Sequence, residues 1–316
     1  MAADGSRRVD KARMIRHGWC FVVLLLSAVT ASGRAGAVTY QTRDGIVYAA
    51  PEGKALRLTM YQPVTTGTAL RPAVVLIHGG AWKFGTRYEM SWYGRHFADR
   101  GYVAISIKYR MMMKYPFPKC IHDAKAAVRW LRLHAAEYHV DPNRIAALGE
   151  SAGGQLATLL ATTAGDPEFD GSDNLGPSSK IQAAISLYGA TDLTYYKQPA
   201  RAIDLWGFTP RYMGRFVGEG KPNGGRDPFV VASPIDHASK DTAPTLFIHG
   251  TKDHLVPFAQ SKAFDARLRR LGVPCELIAV KGRDHGFDHF HHKERRKLFG
   301  EMLEFLDRYM CAPRHG

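Results

Sequence analysis

The chain has 316 residues, 45% of them hydrophobic, with 17 prolines and a formal net charge of +14. This suits one large α/β domain or two small ones with a sizeable core, and excludes a repetitive or low-complexity chain. No helix-turn-helix, zinc-finger or aromatic RNA-binding signature accompanies the charge, so no nucleic-acid partner is expected, and the excess reads as a scattered basic surface.

The first 37 residues read as an export leader. Arg7, Arg8, Lys11, Arg13 and Arg16 form a basic region, Trp19 to Thr30 a short apolar region, and Ala35-Gly36-Ala37 a cleavage-site pattern. Met14 offers an alternative start that leaves a leader of ordinary length. The apolar run is short for a bilayer span, so cleavage and a secreted or periplasmic mature chain of about +10 are expected, with no stable membrane span. Cys20 leaves with the leader. Cys120, Cys275 and Cys311 remain, an odd number at no metal spacing, allowing at most one disulfide of undetermined pairing.

From Val38 the chain opens on short antiparallel strands. Val38–Thr42 and Ile46–Tyr48 are expected to pair across Asp44-Gly45, with Leu56–Tyr61 as a third strand. Pro72–Ile77 is a continuous apolar run, as in a parallel strand buried on both faces. Val103–Ile107 is the next strand, and Asp123–His134 a helix with Asp123 suited to its cap. Arg144–Leu148, Ile181–Leu187, Thr245–Ile248 and Leu277–Val280 read as strands, and Gln155–Ala161, Ala263–Leu271 and Arg295–Met310 as helices. The alternation predicts a doubly wound, mostly parallel sheet. Thr191–Ser233 interrupts it. This long, aromatic-rich segment reads either as a lid or as an excursion whose aromatics bury against the sheet.

The chemistry centres on Gly149-Glu150-Ser151-Ala152-Gly153, a Gly-x-Ser-x-Gly turn between a strand and a helix. Such a turn lifts the serine hydroxyl above the sheet, and Gly149 and Gly153 stand where a Cβ would clash. An activated serine needs a base and a group that orients the base. Asp253 and His285 follow later strands in the required order, with Asp284 as a competitor for the orienting role. The N–H groups of Gly80, Ala81 and Ala152 are candidates for an oxyanion hole, and His78 for a brace of its loop. Trp82 is assigned to a pocket wall, with core packing as the alternative. Trp206 and Phe208 are assigned to the same pocket. No cofactor is implied, and His289, His291 and His292 lack a recognised metal spacing.

The chain resembles α/β-hydrolases of the hormone-sensitive-lipase and carbohydrate-esterase type, and is similar to feruloyl and acetylxylan esterases. The likeness rests on His78-Gly79-Gly80-Ala81-Trp82, Tyr109-Arg110, Asp123 to Leu131, Gly149 to Gly154, His249 to Asp253 and His285-Gly286-Phe287. It implies an α/β-hydrolase fold with a lid-like insertion over 191–233. It also implies a serine esterase with Ser151 as nucleophile, His285 as base and Asp253 as orienting acid; a pocket walled by Trp82 and the aromatics of 191–233 would favour short-chain or aromatic acyl esters, small or polysaccharide-linked. The alternatives are an amide or formamide hydrolase with the same machinery, or a hydrolase-like binding protein. The resemblance further suggests an Arg110–Asp123 ion pair and a supporting place for Glu150. Ala81 departs from it, because many relatives carry a third glycine there. A positive φ at Ala81 would therefore be strained.

Overall fold

Apolar strands that alternate with amphipathic helices can bury both sheet faces only under two helical layers, and the computed structural model has that form. It describes residues 39–64, 67–197, 209–218 and 225–310. Residues 1–38, expected as an export leader up to 37, and Cys311, Trp206 and Phe208 lie outside them.

Eight strands form one sheet: β1 (Tyr40–Ala49), β2 (Leu56–Pro63), β3 (Arg71–Ile77), β4 (Val103–Ile107), β5 (Val140–Glu150), β6 (Ala183–Leu187), β7 (Thr245–Gly250) and β8 (Cys275–Val280). Their order is β1-β2-β4-β3-β5-β6-β7-β8. The β1–β2 and β2–β4 pairs are antiparallel, and all others are parallel. Alternate residues serve opposite layers, as the pleat requires. Ala73, Val75 and Ile77 face the core containing α2 (Lys119–Leu133) and α3 (Ala152–Thr162). Val74 and Leu76 face α1 (Ser91–Asp99) and α8 (His292–Met310), through Phe97, Phe299, Met302 and Phe305. Helix α6 (Phe258–Arg270) packs Phe264 and Leu268 on Phe247 of β7. Each such buried aromatic or aliphatic side chain contributes on the order of 1.5–3 kcal/mol.

Two local expectations are corrected. Residues 40–49 form one bulged strand against β2, not a hairpin at Asp44-Gly45. Gly45, at φ 75°, absorbs the extra residue as a bulge. Helix α2 begins at Lys119, and Asp123 lies inside it. Its carboxylate is buried against Arg110, with Oδ1 2.7 Å from Nη2 and Oδ2 accepting from the Arg110 backbone N–H at 2.7 Å. Burial pushes Asp123 up to about 6 even against that guanidinium. The Arg110–Asp123 pair is thus present, but as a long-range brace and not a cap. Cys120 and Cys275 are both buried free thiols.

In the segment 191–233, helices α4 (Pro210–Val217) and α5 (Pro228–Val231) form. Tyr196, Met213, Phe216 and Phe229 are buried in the main core. For these residues the segment is a packed excursion. Trp82 is also core: it is 2% exposed, stacks on Phe216 at 4.1 Å, and its Nε1 donates to Gln155 Oε1 at 3.0 Å. Its assignment to the pocket wall is therefore overturned, since the loop turns the indole inward beneath the insertion.

Candidate active site

The nucleophile turn joins β5 to α3 through Ser151, at φ 52° and ψ −116°. Few side chains tolerate that backbone, and the surroundings enforce it. A Cβ on Gly149 would lie 2.0 Å from Gly153 O, and one on Gly153 would lie 2.0 Å from Ile77 O. Only glycine at both positions lets the turn pass under β3. The Ser151 N–H donates to Leu187 O on β6 at 2.9 Å, pinning the turn to the sheet.

The structure brings together the three residues singled out by chain order. Ser151 Oγ lies 2.8 Å from His285 Nε2, and His285 Nδ1 lies 2.7 Å from Asp253 Oδ2. Asp253 is held from every side. Its Oδ1 accepts from the N–H groups of Leu255 and Val256 at 2.9 and 2.8 Å, and His249 Nε2 is 3.2 Å from Oδ2. Burial alone would favour its neutral form. Hydrogen bonds from His249 and His285 outweigh that effect and hold the carboxyl well below its usual range. His249 Nε2 also faces Val256 O at 2.8 Å, and its Nδ1 faces Ser261 Oγ at 2.8 Å. Two acceptors at Nε2 place the proton there, so Nδ1 accepts from the serine. Asp284 is elsewhere: its Oδ2 meets His254 Nδ1 at 2.9 Å, at the surface.

The loop after β3 lies against the turn, so close that a Cβ on Gly79 would sit 3.1 Å from Glu150 O and 3.3 Å from the Ser151 Cβ. Ala81 and Trp82 have φ of 54° and 56°. The strain anticipated at Ala81 is present, on the order of 1–2 kcal/mol, and contacts around the loop hold it. Tyr212 Oη donates to Ala81 O at 2.6 Å, and the Met112 N–H donates to Trp82 O at 2.8 Å. His78 is buried and stacked on Tyr109, with Nδ1 donating to Gly79 O at 2.7 Å. Burial drives its pKa down to about 3, so it stays neutral and braces the loop. Gly80, Ala81 and Ser151 line one cavity, and Ala152 starts α3 beside them.

That cavity has a volume of about 800 Å³. Its apolar wall comes from Phe84, Tyr188, Leu255, Phe287 and Phe290. None of the described residues of 191–233 lines it. Phe84 and Phe290 are 61% and 80% exposed. Tyr188, at φ 41°, sets its ring against the His285 ring at 4.7 Å. Sequence reasoning missed these residues. The one local signal was the aromatic pair Phe287 and Phe290 beside His285.

Beneath the cavity, Glu150 Oε2 lies 3.1 Å from His289 Nε2. Asp288 accepts from Tyr93 Oη at 2.8 Å and from Tyr188 Oη at 2.6 Å. Burial, then the Asp288 charge, raises Glu150 to about 8, and the Glu150 hydrogen bond raises His289 to about 9. The close contact favours charge on His289, while burial beside Asp288 disfavours charge on Glu150.

Comparison with known proteins points to esterases. The chain is similar to the probable carboxylic ester hydrolase LipM of Mycobacterium tuberculosis, with 31% identity over 78% of this chain and 56% of that protein. Among solved structures it is similar to a thermophilic esterase from Thermogutta terrifontis, Est2. The TM-score is 0.69 at 28% identity, over 89% of this chain and 95% of that one. A truncated carbohydrate esterase from gut microbiota matches with a TM-score of 0.71 at 26% identity, over 86% and 98%. The chain spans about half the length of the curated relatives it matches. The BD-FAE family model matches residues 58–268, a stretch that runs from β2 through the nucleophile turn and Asp253 into α6, and the chain belongs to that family.

Proposed function

We propose that the chain is a serine carboxylic ester hydrolase acting through Ser151, His285 and Asp253. The observation that carries the reading is the continuous hydrogen-bonded series from Ser151 Oγ through both nitrogens of His285 to Asp253, at the floor of an open cavity. Ser151 Oγ attacks the ester carbonyl while His285 Nε2 takes its proton. The N–H groups of Gly80, Ala81 and Ala152 stabilise the resulting oxyanion. Collapse passes the proton from His285 to the departing alcohol. Water then attacks the acyl-enzyme with His285 again as base, and Ser151 is regenerated. Asp253 holds the imidazole and offsets its positive charge.

Short-chain or aromatic acyl esters fit the apolar wall of Phe84, Leu255, Phe287 and Phe290. Est2 has been solved with butyrate bound and with propionate bound, which supports the short-acyl part of this reading. The leader pattern in residues 1–37 supports export. Exported protein is then expected to begin near Val38 on N-terminal sequencing, and an intact 19–30 segment would replace cleavage with an anchor.

The test is Ser151→Ala, assayed with acetyl, butyryl and feruloyl esters and a formamide, and by fluorophosphonate labelling. Wild-type protein is expected to take the label and hydrolyse the esters ahead of the formamide, and the variant to do neither with its fold intact. Activity in Ser151→Ala within a few-fold of wild type overturns the assignment. A preference for the formamide moves the reaction to amides.

A further inference from the structure

The Glu150–Asp288–His289 cluster is not used by the proposed reaction, yet it borders the same cavity. A carboxylate oxygen of Glu150, one of Asp288 and a ring nitrogen of His289 lie within 4.8 Å of one another. Glu150 and Asp288 are buried, while the His289 side chain is 43% exposed. Among the described residues no donor reaches Glu150 Oε1, although the atom is shut off from solvent. Two buried carboxyl groups this close repel unless a cation or a proton stands between them. Both Asp288 oxygens are backed by tyrosine hydroxyls, from Tyr93 and Tyr188, the kind of outer support that orients a carboxylate ligand. Arg295, whose charge is felt at His289, turns its guanidinium onto the Trp92 ring.

We propose that Glu150, Asp288 and His289 form a binding site for a divalent first-row transition cation such as Zn²⁺, whose occupation slows ester hydrolysis. Two carboxylate oxygens and one imidazole nitrogen are a donor set suited to Zn²⁺ or Co²⁺, and three protein ligands leave a coordination position open. Glu150 and His289 both line the cavity, which gives an entry path. The cation would tie the segment carrying His285 and His289 to the nucleophile turn. Its charge would also oppose the positive charge that His285 must acquire during the reaction. The effect on rate rests on the esterase reading, but the binding does not.

The experiment titrates the full chain with Co²⁺, read by visible absorption, and with Zn²⁺, read by calorimetry, each without any ester. One ion per chain is expected. Saturating Zn²⁺ is expected to cut ester hydrolysis about ten-fold or more, and EDTA to restore it. His289→Ala, at a half-exposed position, is expected to weaken Zn²⁺ binding by more than the about 10- to 100-fold typical of losing an outer-shell partner, whereas His254→Ala leaves it unchanged. Absence of stoichiometric uptake overturns the site. So does uptake and inhibition that persist undiminished in His289→Ala, which would place the ion at His285 or His254. Binding with no change in rate overturns the proposed effect on hydrolysis. A chain that binds the ion but hydrolyses no ester overturns the esterase reading instead.

Discussion

Replacing Asp253 by asparagine separates the two carboxylates that compete for His285. An asparagine at 253 must keep its carbonyl oxygen on the Leu255 and Val256 N–H groups, which lie 2.9 and 2.8 Å from Oδ1. The opposite flip would set an NH₂ against two donors. The NH₂ therefore points at His285 Nδ1 and at His249 Nε2, where Oδ2 stood. Facing a donor, His285 Nδ1 becomes an acceptor and its proton moves to Nε2. There it meets Ser151 Oγ at 2.8 Å. The imidazole now donates to the serine and cannot take its proton, and the charge that stabilised the imidazolium is gone. Such a loss costs on the order of 10⁴ in turnover, or about 5 kcal/mol of barrier. Asp284→Asn alters a carboxylate whose side chain is 60% exposed and bound to His254, so a change of only a few-fold is expected. The assay is the initial rate of p-nitrophenyl acetate hydrolysis per mole of protein, with circular dichroism to check the fold. The reasoning is refuted if Asp253→Asn keeps more than about a tenth of wild-type turnover, given the 10⁴ expected, or if Asp284→Asn is the more damaged enzyme.

Two further outcomes follow from buried groups. His78 is depressed to about 3 from an ordinary 6.5. Between these values the unfolded chain binds a proton that the folded chain refuses, so its contribution to stability is present above 6.5 and lost as pH falls toward 3. The slope reaches at most about 1.4 kcal/mol per pH unit. His78→Asn removes the titration, so the stability gap between wild type and variant in urea should shrink on going from pH 7 to pH 4.5; a constant gap would show that His78 charges freely in the fold. Trp82→Ala empties a core site under Phe216 and should cost about 3–5 kcal/mol in urea unfolding while the acyl preference stays unchanged. A shifted preference at unaltered stability would return Trp82 to the pocket.

What the sequence disclosed and what it hid divide along a physical line. The parallel strands β3 to β7 were legible because a strand buried on both faces must be apolar over its core, as in Val74 to Ile77, and the half-exposed edge strand β8 through its short apolar run. Ser151, Asp253 and His285 were legible because each follows a strand at the same sheet edge, and because the turn at Ser151 demands glycine at 149 and 153. Helix α4 was missed although Thr209, Pro210 and a left-handed Gly218 mark its ends. Aromatic content had drawn attention to a lid and away from those caps. Helix α1 starts at Ser91 behind Met90, which offers no side-chain cap, and so gave no start signal. Asp123 was misread because a helical acid looks like a cap until Arg110, thirteen residues earlier, is seen beside it. The Glu150–Asp288–His289 cluster lies further from local reading. Its carboxylate and imidazole are 139 residues apart, and its hydroxyl donors come from α1 and from the end of β6. Residue choice was readable where backbone geometry dictates it. It was not readable where a contact closed only by the fold dictates it, and a cation site can arise in just such a place without leaving a motif.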